Sequence, residues 1–310
     1  PYGHELWRWT FPVNKLNQQT EQLSPLSSRP TYTETENELT VKANKRTFIF
    51  SKKDGQLKGV SVDNRKINFA NGPRFIGARR ADRSLDQFYN HDDEKAKEKD
   101  RTYSEFPDAA VFTKLDVKED GGNLVVTANY KLGNLDKSQW TINPSGDLAL
   151  DYTYNFSGVV DLMGIRFDYP EDQVISKRWL GAGPYRVWQN RIHGTQYDVW
   201  ENDYNDPIPG ETFTYPEFKG YFGDVSWMNI QTKEGTISLT NETPDTYIGV
   251  YQPRDGRDRL LYTLPESGIS VLNVIPPVRN KVNSTDLCGP SSQPKWVNGP
   301  QTGRVIFRFM

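Results

Sequence analysis

Apolar and polar residues alternate along most of the 310-residue chain. In RTFIFSKKDGQLKGVSVDN, residues 46–64, two alternating segments flank Asp54-Gly55, and Asp-Gly in that position is a strong β-hairpin signal. The period of two returns in GNLVVTANYKLG (122–133) and GDLALDYTYNF (146–156). No long stretch has the 3.6-residue period of an amphipathic helix. Many short alternating segments, separated by Gly, Asn and Asp turns, predict an all-β fold organised as a large antiparallel sandwich.

Changes in composition divide the chain into three parts. Residues 1–13 alternate aromatic and polar side chains, which predicts a strand. Residues 14–36 are rich in Ser, Thr, Gln and Pro and lack apolar periodicity, which indicates a linker. The predicted sandwich domain occupies 37–310. The chain starts without Met or a leader sequence, so we expect a fragment or a mature product.

Charge and composition narrow the class of partner. The chain has 38 Lys+Arg and 40 Asp+Glu, a formal net charge of -2, which argues against binding to nucleic acid or to an anionic membrane surface. No apolar run is long enough to span a bilayer. The single cysteine, Cys288, rules out an intrachain disulfide and an all-cysteine metal site. We therefore expect neither a nucleic-acid nor a membrane partner.

Motifs for nucleophilic, phosphate or zinc chemistry do not occur in the sequence. There is no G-x-S-x-G, no phosphate-binding Gly-rich loop and no H-E-x-x-H. The three histidines, His4, His91 and His193, are far apart in the chain, which argues against a transition-metal site. We predict no cofactor. A calcium site built from scattered carboxylates would leave no sequence pattern and stays open.

One stretch, KRWLGAGPYRVWQNRIHGTQYDVWEND at 177–203, concentrates large side chains with polar ends around Gly and Pro. Sugars present apolar C–H faces and rims of hydroxyls, which aromatic rings and hydrogen-bonding side chains can match. The candidate carbohydrate-binding residues here are Arg186, Trp188, Asn190, Arg191, His193 and Trp200. Alternatively, the tryptophans fill a corner of the core. We favour the core for Trp179 and leave both readings open for Trp188, Arg191 and Trp200.

Three further charged residues are candidates for the same surface. Glu217 and Lys219 form a charged pair inside the aromatic run TYPEFKGYF (214–222). An acid between large apolar groups either pairs with a cation or acts on a ligand. Arg80, in RRADR at 79–83, either donates hydrogen bonds to the ligand or pairs with the acidic loop that follows it.

Four segments in the same order resemble the C-terminal sandwich, or small-chain domain, of glycoside hydrolase family 2 β-galactosidases, most nearly the divergent gut-bacterial type. They are FIFSKKDGQLKGVSVDNRKI (48–67), GPRFIGARRADR (72–83), WLGAGPYRVWQNRIHGTQYDVW (179–200) and YPEFKGYFGDVSWMNI (215–230). In addition, HELWRWTFPVN (4–14) is similar to the last strand of the immunoglobulin-like domain that precedes this sandwich. Asn190 stands where the family usually has the acid of an Asp-Arg pair.

The resemblance implies a galactose mutarotase-like supersandwich, a carbohydrate ligand (oligosaccharide or glycan), and upstream domains of the same polypeptide as partners. It places the catalytic carboxylates in a barrel outside this chain, so whether the chain by itself is an enzyme stays uncertain. The expected function is that of an accessory domain that supports the catalytic barrel and contributes to carbohydrate binding. The alternatives are a stand-alone sugar epimerase or lyase, and a carbohydrate-binding module. A periplasmic or extracellular location in a bacterium is the expectation that goes with this family.

Overall fold

The computed structural model describes residues 3, 8–10, 28–80, 103–203, 220–250, 265–277 and 290–310. Within these ranges the chain forms β-strands and two single-turn 3-10 helices, Glu171–Gln173 and Pro290–Ser292, with no α-helix among the described residues. The all-β prediction is therefore confirmed. In the same ranges no helix combines the length and apolar character needed to cross a lipid bilayer.

The strands follow one another along the chain with short turns between most of them. In order they are β1 (Thr31–Glu34), β2 (Glu38–Ala43), β3 (Arg46–Ser51), β4 (Leu57–Val62), β5 (Arg65–Ile67), β6 (Ala70–Arg80), β7 (Tyr103–Glu105), β8 (Val111–Asp120), β9 (Asn123–Lys131), β10 (Leu135–Ile142), β11 (Leu148–Val160), β12 (Leu162–Asp168), β13 (Val174–Gly183), β14 (Gln196–Asp203), β15 (Phe222–Gly223), β16 (Trp227–Thr232), β17 (Gly235–Asn241), β18 (Tyr247–Val250), β19 (Ile269–Val274) and β20 (Lys295–Phe309).

The strands form two large sheets. The 11-stranded sheet has the order β1-β2-β3-β4-β6-β12-β19-β18-β15, with β5 paired to β4 and β7 paired to β6. The 9-stranded sheet has the order β14-β13-β16-β17-β20-β11-β10-β9-β8. Every described pairing between these strands is antiparallel. The predicted antiparallel sandwich is thus confirmed.

The alternation in the sequence sets the face that each strand turns to the core. In β11 the side chains of Leu148, Leu150, Tyr152 and Tyr154 are buried, because every second residue of a strand points to the same side. They pack between the sheets with a group of aromatic rings. Within this group Phe69 lies 4.7 Å from Phe167 and 5.0 Å from Phe307, and Trp140 lies 6.0 Å from Phe167, measured between ring centroids.

Polar side chains join the two sheets at one end of the sandwich. Glu234, in the β16–β17 turn, accepts hydrogen bonds from the Asn68 backbone N–H (2.9 Å) and side chain and from the Tyr169 hydroxyl (3.1 Å). Arg46 of β3 donates from Nε to the Phe309 carbonyl (2.7 Å) and from Nη1 to the Ser145 carbonyl (2.6 Å). These bonds fix the relative position of turns that are distant in sequence.

The predicted hairpin at Asp54-Gly55 forms between β3 and β4. Gly55 has φ 72 and its N–H donates to the Ser51 carbonyl at 2.9 Å. A Cβ at this position would lie 2.7 Å from the Ala128 Cβ, so both the left-handed backbone and the close approach to β9 require glycine.

Only parts of the predicted strand at 1–13 and linker at 14–36 fall among the described residues. Residues 8–10 have no regular secondary structure there. Residues 31–34, near the end of the predicted linker, form β1 and pair with β2. All four residues of β1 are exposed, so this edge strand has no buried face to produce an apolar alternation.

The central strands β6, β12 and β19 of the 11-stranded sheet are buried on both faces along part of their length. On β6, Phe75 packs in the core between the sheets, whereas Ile76 and Ala78 belong to a separate apolar cluster. The same division occurs between Met163 and Leu162 on β12 and between Val271 and Leu272 on β19. Because neighbouring strand residues point to opposite faces, this second cluster lies on the outer face of the sheet, away from the 9-stranded sheet. Some other segment must cover it.

Asp147 and Arg308 provide a test of how partly buried ion pairs stabilise the sandwich. Arg308 Nε and Nη2 donate to the Asp147 carboxylate at 2.7 and 2.8 Å, and the Asp147 side chain is 14% exposed. Burial alone would raise the pKa of this carboxyl, but the hydrogen bond and charge of Arg308, together with the Asn143 side chain and the charge of Arg46, outweigh burial and lower the pKa below its usual value of 3.8. The pair therefore stabilises the fold above pH 3.8 and loses this contribution as the pH falls through the lowered pKa.

We expect Asp147→Asn to lower the free energy of unfolding by about 1–3 kcal/mol at pH 7, measured by urea denaturation. The difference from the unchanged protein should shrink at about pH 3 and below, where the carboxyl becomes protonated. Asp120→Asn is the control, since Asp120 is 66% exposed and lies 3.7 Å from Lys118. A loss for Asp147→Asn that is equal at every pH would contradict this account.

Candidate functional site

Residues 184–195 connect β13 to β14 at the edge of the 9-stranded sheet, and we refer to them as the aromatic turn. Five of the nine residues predicted to contact carbohydrate lie within this turn. They are Arg186, Trp188, Asn190, Arg191 and His193. The structure therefore brings most of the predicted set into one loop, but it gives its members different environments.

Backbone hydrogen bonds hold the first half of the aromatic turn against the segment that leads into β15. Val187 N donates to the Tyr221 carbonyl at 2.7 Å, and Tyr221 N donates back to the Val187 carbonyl at 2.8 Å. A Cβ on Gly220 would lie 2.1 Å from the Val187 oxygen, so glycine is needed for this approach. Arg191 N donates to the Trp188 carbonyl at 2.9 Å, which closes a tight reversal at 188–191.

Trp188 is fully buried in the second apolar cluster. Its ring lies edge-on to Tyr221, with 5.7 Å between centroids, and the cluster also contains Ile76, Leu162 and Leu272. The sequence left two interpretations of Trp188, a sugar contact and a core residue, and its position in the structure is that of a core residue. The turn covers the outer face of the 11-stranded sheet, and this indole has no free face on which a sugar could stack. Trp179 is likewise fully buried, as expected.

Gln189 fixes the tip of the turn to two distant segments. Its backbone N–H donates to the Pro276 carbonyl at 3.0 Å, and its Nε2 donates to the carbonyls of Ser291 (2.8 Å) and Gln293 (2.6 Å). Asn190 is partly buried, and its Nδ2 lies 3.5 Å from the Ser292 hydroxyl. Sequence reasoning missed Gln189, because its partners lie about a hundred positions away and no local pattern indicates them.

Arg186 is buried rather than available at the surface. Its guanidinium carbon lies 5.8 Å from the centroid of the Phe222 ring, and the ammonium of Lys177, also buried, lies 5.8 Å from the same centroid. A cation near an aromatic ring is stabilised by the negative face of the ring. Arg186 thus supports the turn from its buried side, next to Phe222.

The solvent-exposed side of the turn carries Arg191 and His193 together with Tyr185 and Ile192. Tyr185 is 41% exposed and Ile192 is 42% exposed. Guanidinium, imidazole and phenol groups can all donate hydrogen bonds. The exposed side of the turn therefore presents several hydrogen-bond donors, and hydrogen bonds fix the backbone that carries them. Such a surface is suited to contacting a polar ligand or a neighbouring protein surface.

The remaining predicted residues lie elsewhere. Trp200 is partly buried on β14, where its Nε1 donates to the Gln196 carbonyl at 3.2 Å. A Cβ on Gly183 would lie 2.4 Å from the Trp200 ring, so the indole packs flat on that glycine. Arg80 is the last residue of β6, and its side chain is not among those described. Glu217 and Lys219 lie outside the described residues.

One carboxyl and one phenol on the segments beside the turn have raised pKa values. Burial, and then repulsion from Asp245, raises the pKa of Asp224, which follows β15. Burial, and then the charges of Asp224 and Asp245, also raises the pKa of the Tyr247 phenol, which packs against the second cluster. Among the described residues no group of three or more His, Cys, Asp or Glu side chains is placed to hold a metal ion.

One comparison with known proteins identifies a family. A family model described as "Beta galactosidase small chain" matches residues 42–276, which include the aromatic turn. No curated protein matches the chain in a sequence search. Among solved structures, galactose 1-epimerase from Lactobacillus acidophilus NCFM is similar with a TM-score of 0.48 and 9% identity, over 92% of this chain and 99% of that one. A GalM/aldose epimerase homologue from C. elegans is similar with a TM-score of 0.39 and 7% identity, over 90% and 99%.

Two substitutions separate the buried part of the turn from its exposed part. Trp188→Ala should lower the free energy of unfolding by about 3–5 kcal/mol, because it removes a fully buried ring from a packed cluster. Tyr185→Ala, on the exposed side of the same turn, should cost less than about 1 kcal/mol. Denaturant unfolding of both variants measures the difference. A loss of similar size for the two would show that Trp188 is not packed as described.

Proposed function

Because the chain belongs to the β-galactosidase small chain family, we propose that it is an accessory sandwich domain of a multidomain glycoside hydrolase. In this role it supports the catalytic barrel and contributes to carbohydrate binding at the rim of the substrate pocket. The carboxylates that cleave the glycosidic bond belong to that barrel, and the isolated chain does not hydrolyse the bond.

The observation that carries the proposal is the combination of fixed backbone and exposed donors in the aromatic turn. Val187 and Gln189 bind the turn to three other segments, while Arg191 and His193 face solvent. A loop held in one conformation loses little entropy on contact with a ligand, so each hydrogen bond contributes more to affinity. A mobile loop with the same side chains would bind more weakly.

Individual residues of the turn have separate roles in this proposal. The Arg191 guanidinium donates paired hydrogen bonds to neighbouring sugar hydroxyls, and the His193 imidazole donates or accepts one more. Asn190 holds the turn through Ser292. Arg186 and Trp188 support the turn from within the protein. We retain Glu217, Lys219, Trp200 and Arg80 as proposed carbohydrate contacts.

The position of residues 8–10 supports an upstream partner close to the turn. Tyr197, the second residue of β14, donates its backbone N–H to the Thr10 hydroxyl at 2.5 Å. The polypeptide on the N-terminal side of the sandwich therefore passes within two residues of the end of the aromatic turn. A preceding domain joined through this segment would lie beside the exposed donors.

Hydrolysis assays on two polypeptides test the proposal. The purified 310-residue chain should release no nitrophenol from a nitrophenyl β-galactoside, and it should not accelerate the mutarotation of α-galactose followed by polarimetry. The product of the complete reading frame that contains these residues should hydrolyse a β-glycoside. Turnover or epimerisation by the chain alone, or a complete reading frame that encodes no other domain, would refute the accessory role.

A substitution in the active full-length protein tests the rim contact. Arg191→Ala should raise KM about tenfold and change kcat much less, because it removes a hydrogen bond from a charged donor that binds ground state and transition state alike. Lys114→Ala, an exposed residue on β8 at the far edge of the 9-stranded sheet, is the control and should leave both constants unchanged. An unchanged KM for Arg191→Ala would show that the aromatic turn does not contribute to the substrate pocket.

A further inference from the structure

A row of polar residues crosses the outer face of the 11-stranded sheet beside the second apolar cluster. Arg74 of β6 lies directly opposite Arg166 of β12, Arg166 lies opposite Ser270 of β19, and Ser270 lies opposite Gly249 of β18. Each of the three polar residues occupies the face opposite to its buried neighbour Phe75, Phe167 or Val271, which packs between the sheets. We call Arg74, Arg166 and Ser270 the polar row.

Within the described part of the chain, each arginine of the row makes one side-chain hydrogen bond and keeps other donors. Arg74 Nη2 pairs with the Asp168 carboxylate, and Arg166 Nη1 donates to the Glu266 carbonyl. A guanidinium has five N–H groups, so both side chains retain further donors. The Arg74 side chain is 26% exposed and that of its partner Asp168 is 45% exposed, so this pair is partly open to solvent.

Asp168 contacts Arg74, and two further carboxylates, Asp108 and Glu105, lie near enough to interact electrostatically with Arg166. Asp168 also accepts a hydrogen bond from Asn71 Nδ2 at 2.9 Å, which orients its carboxylate. Asp108 accepts from the Phe75 backbone N–H at 3.2 Å. Burial lowers the pKa of Arg166, and the neighbouring charge of Arg74 lowers it further, whereas Asp168, Glu105 and Asp108 oppose this effect. These groups are therefore electrostatically coupled.

The charges of the two arginines and of the nearby carboxylates decide which class of ligand can bind to this charged cluster. The two guanidinium groups carry the same charge and lie directly opposite one another, so their repulsion destabilises the folded protein. Three carboxylates (Asp168, Asp108 and Glu105) nearby make the cluster unfavourable for an anion, and the two guanidinium groups make it unfavourable for a cation. A neutral molecule with adjacent hydroxyls can accept from the arginines and donate to the carboxylates at the same time.

We propose that Arg74, Arg166 and Asp168 form a binding site for an uncharged saccharide, separate from the exposed donors of the aromatic turn. Residues two apart on a strand lie about 7 Å from each other, so the site adjoins Ile76 and the buried side of the turn. A saccharide bound here would rest beside the turn on the sandwich itself. The site depends on no catalytic barrel.

Calorimetric titration of the 310-residue chain with methyl β-galactopyranoside and methyl β-glucopyranoside tests the site. We expect saturable binding of at least one glycoside, with Kd in the millimolar range typical of weak saccharide sites made by few hydrogen bonds. Arg166→Gln and Asp168→Asn should each raise Kd about tenfold, because each substitution removes a charged hydrogen-bonding group. Circular dichroism and thermal unfolding establish that the variants fold.

The matched control is Arg304→Gln on the outer face of the other sheet. Arg304 of β20 is also placed between two carboxylates, Asp151 and Glu242, and its side chain is 40% exposed. This variant should bind the glycoside with an unchanged Kd. Lys114→Ala, an exposed residue on β8, should also leave the Kd unchanged.

Three outcomes would overturn the inference. The first is that the folded chain shows no saturable binding of either glycoside at concentrations up to about 50 mM, which is far above a Kd of about 1 mM. The second is binding that Arg166→Gln and Asp168→Asn leave intact, or that Lys114→Ala abolishes. The third is binding of glucuronate in place of the neutral glycosides, which would mean that the ligand is an anion. In each case the hydrolysis assays on the full-length protein would still decide the accessory role independently.

Discussion

Burial of both faces of β6, β12 and β19 along part of their length is the constraint on which the rest of the structure depends. A β-sandwich normally buries one face of each sheet and leaves the other to solvent. Here Ile76, Ala78, Leu162 and Leu272 form an apolar surface on the outer face, where exposure to water would be costly. The aromatic turn covers this surface with Val187 and Trp188, helped by Tyr221. Its conformation is therefore set by packing, and the turn belongs to the core as much as to the surface.

The same constraint explains how residues of one loop come to have different environments. Val187 and Trp188 pack on the sheet, Gln189 binds two segments distant in sequence, and Arg191 and His193 are exposed to solvent. A ligand or a neighbouring domain that contacts the exposed donors contacts a surface already ordered by the core. This gives a physical reason why an accessory sandwich could influence substrate binding without supplying catalytic groups.

The alternation of apolar and polar residues was sufficient to predict the fold class, because strand period and sheet face are local properties of the sequence. The burial of Trp179 followed from its place in such an alternating strand. Trp188 could not be decided in the same way, because the residues that bury it, such as Leu272, are distant in the chain. The sequence does contain a signal for the arginines of the polar row, because Arg74 and Arg166 each place a charge between two buried strand residues, in PRF (73–75) and IRF (165–167). Their direct opposition, however, is a matter of strand register, which the sequence does not reveal.

Native-state hydrogen exchange of the amides in the aromatic turn tests the central claim most directly. If the turn is part of the core, Val187, Gln189 and Tyr221, whose N–H groups form the hydrogen bonds between the turn and other segments, should exchange within about tenfold of a central strand amide such as that of Ile165. Exchange of these three amides as fast as at the exposed β8–β9 turn, Gly121 and Gly122, would show that the turn opens independently and would contradict the account.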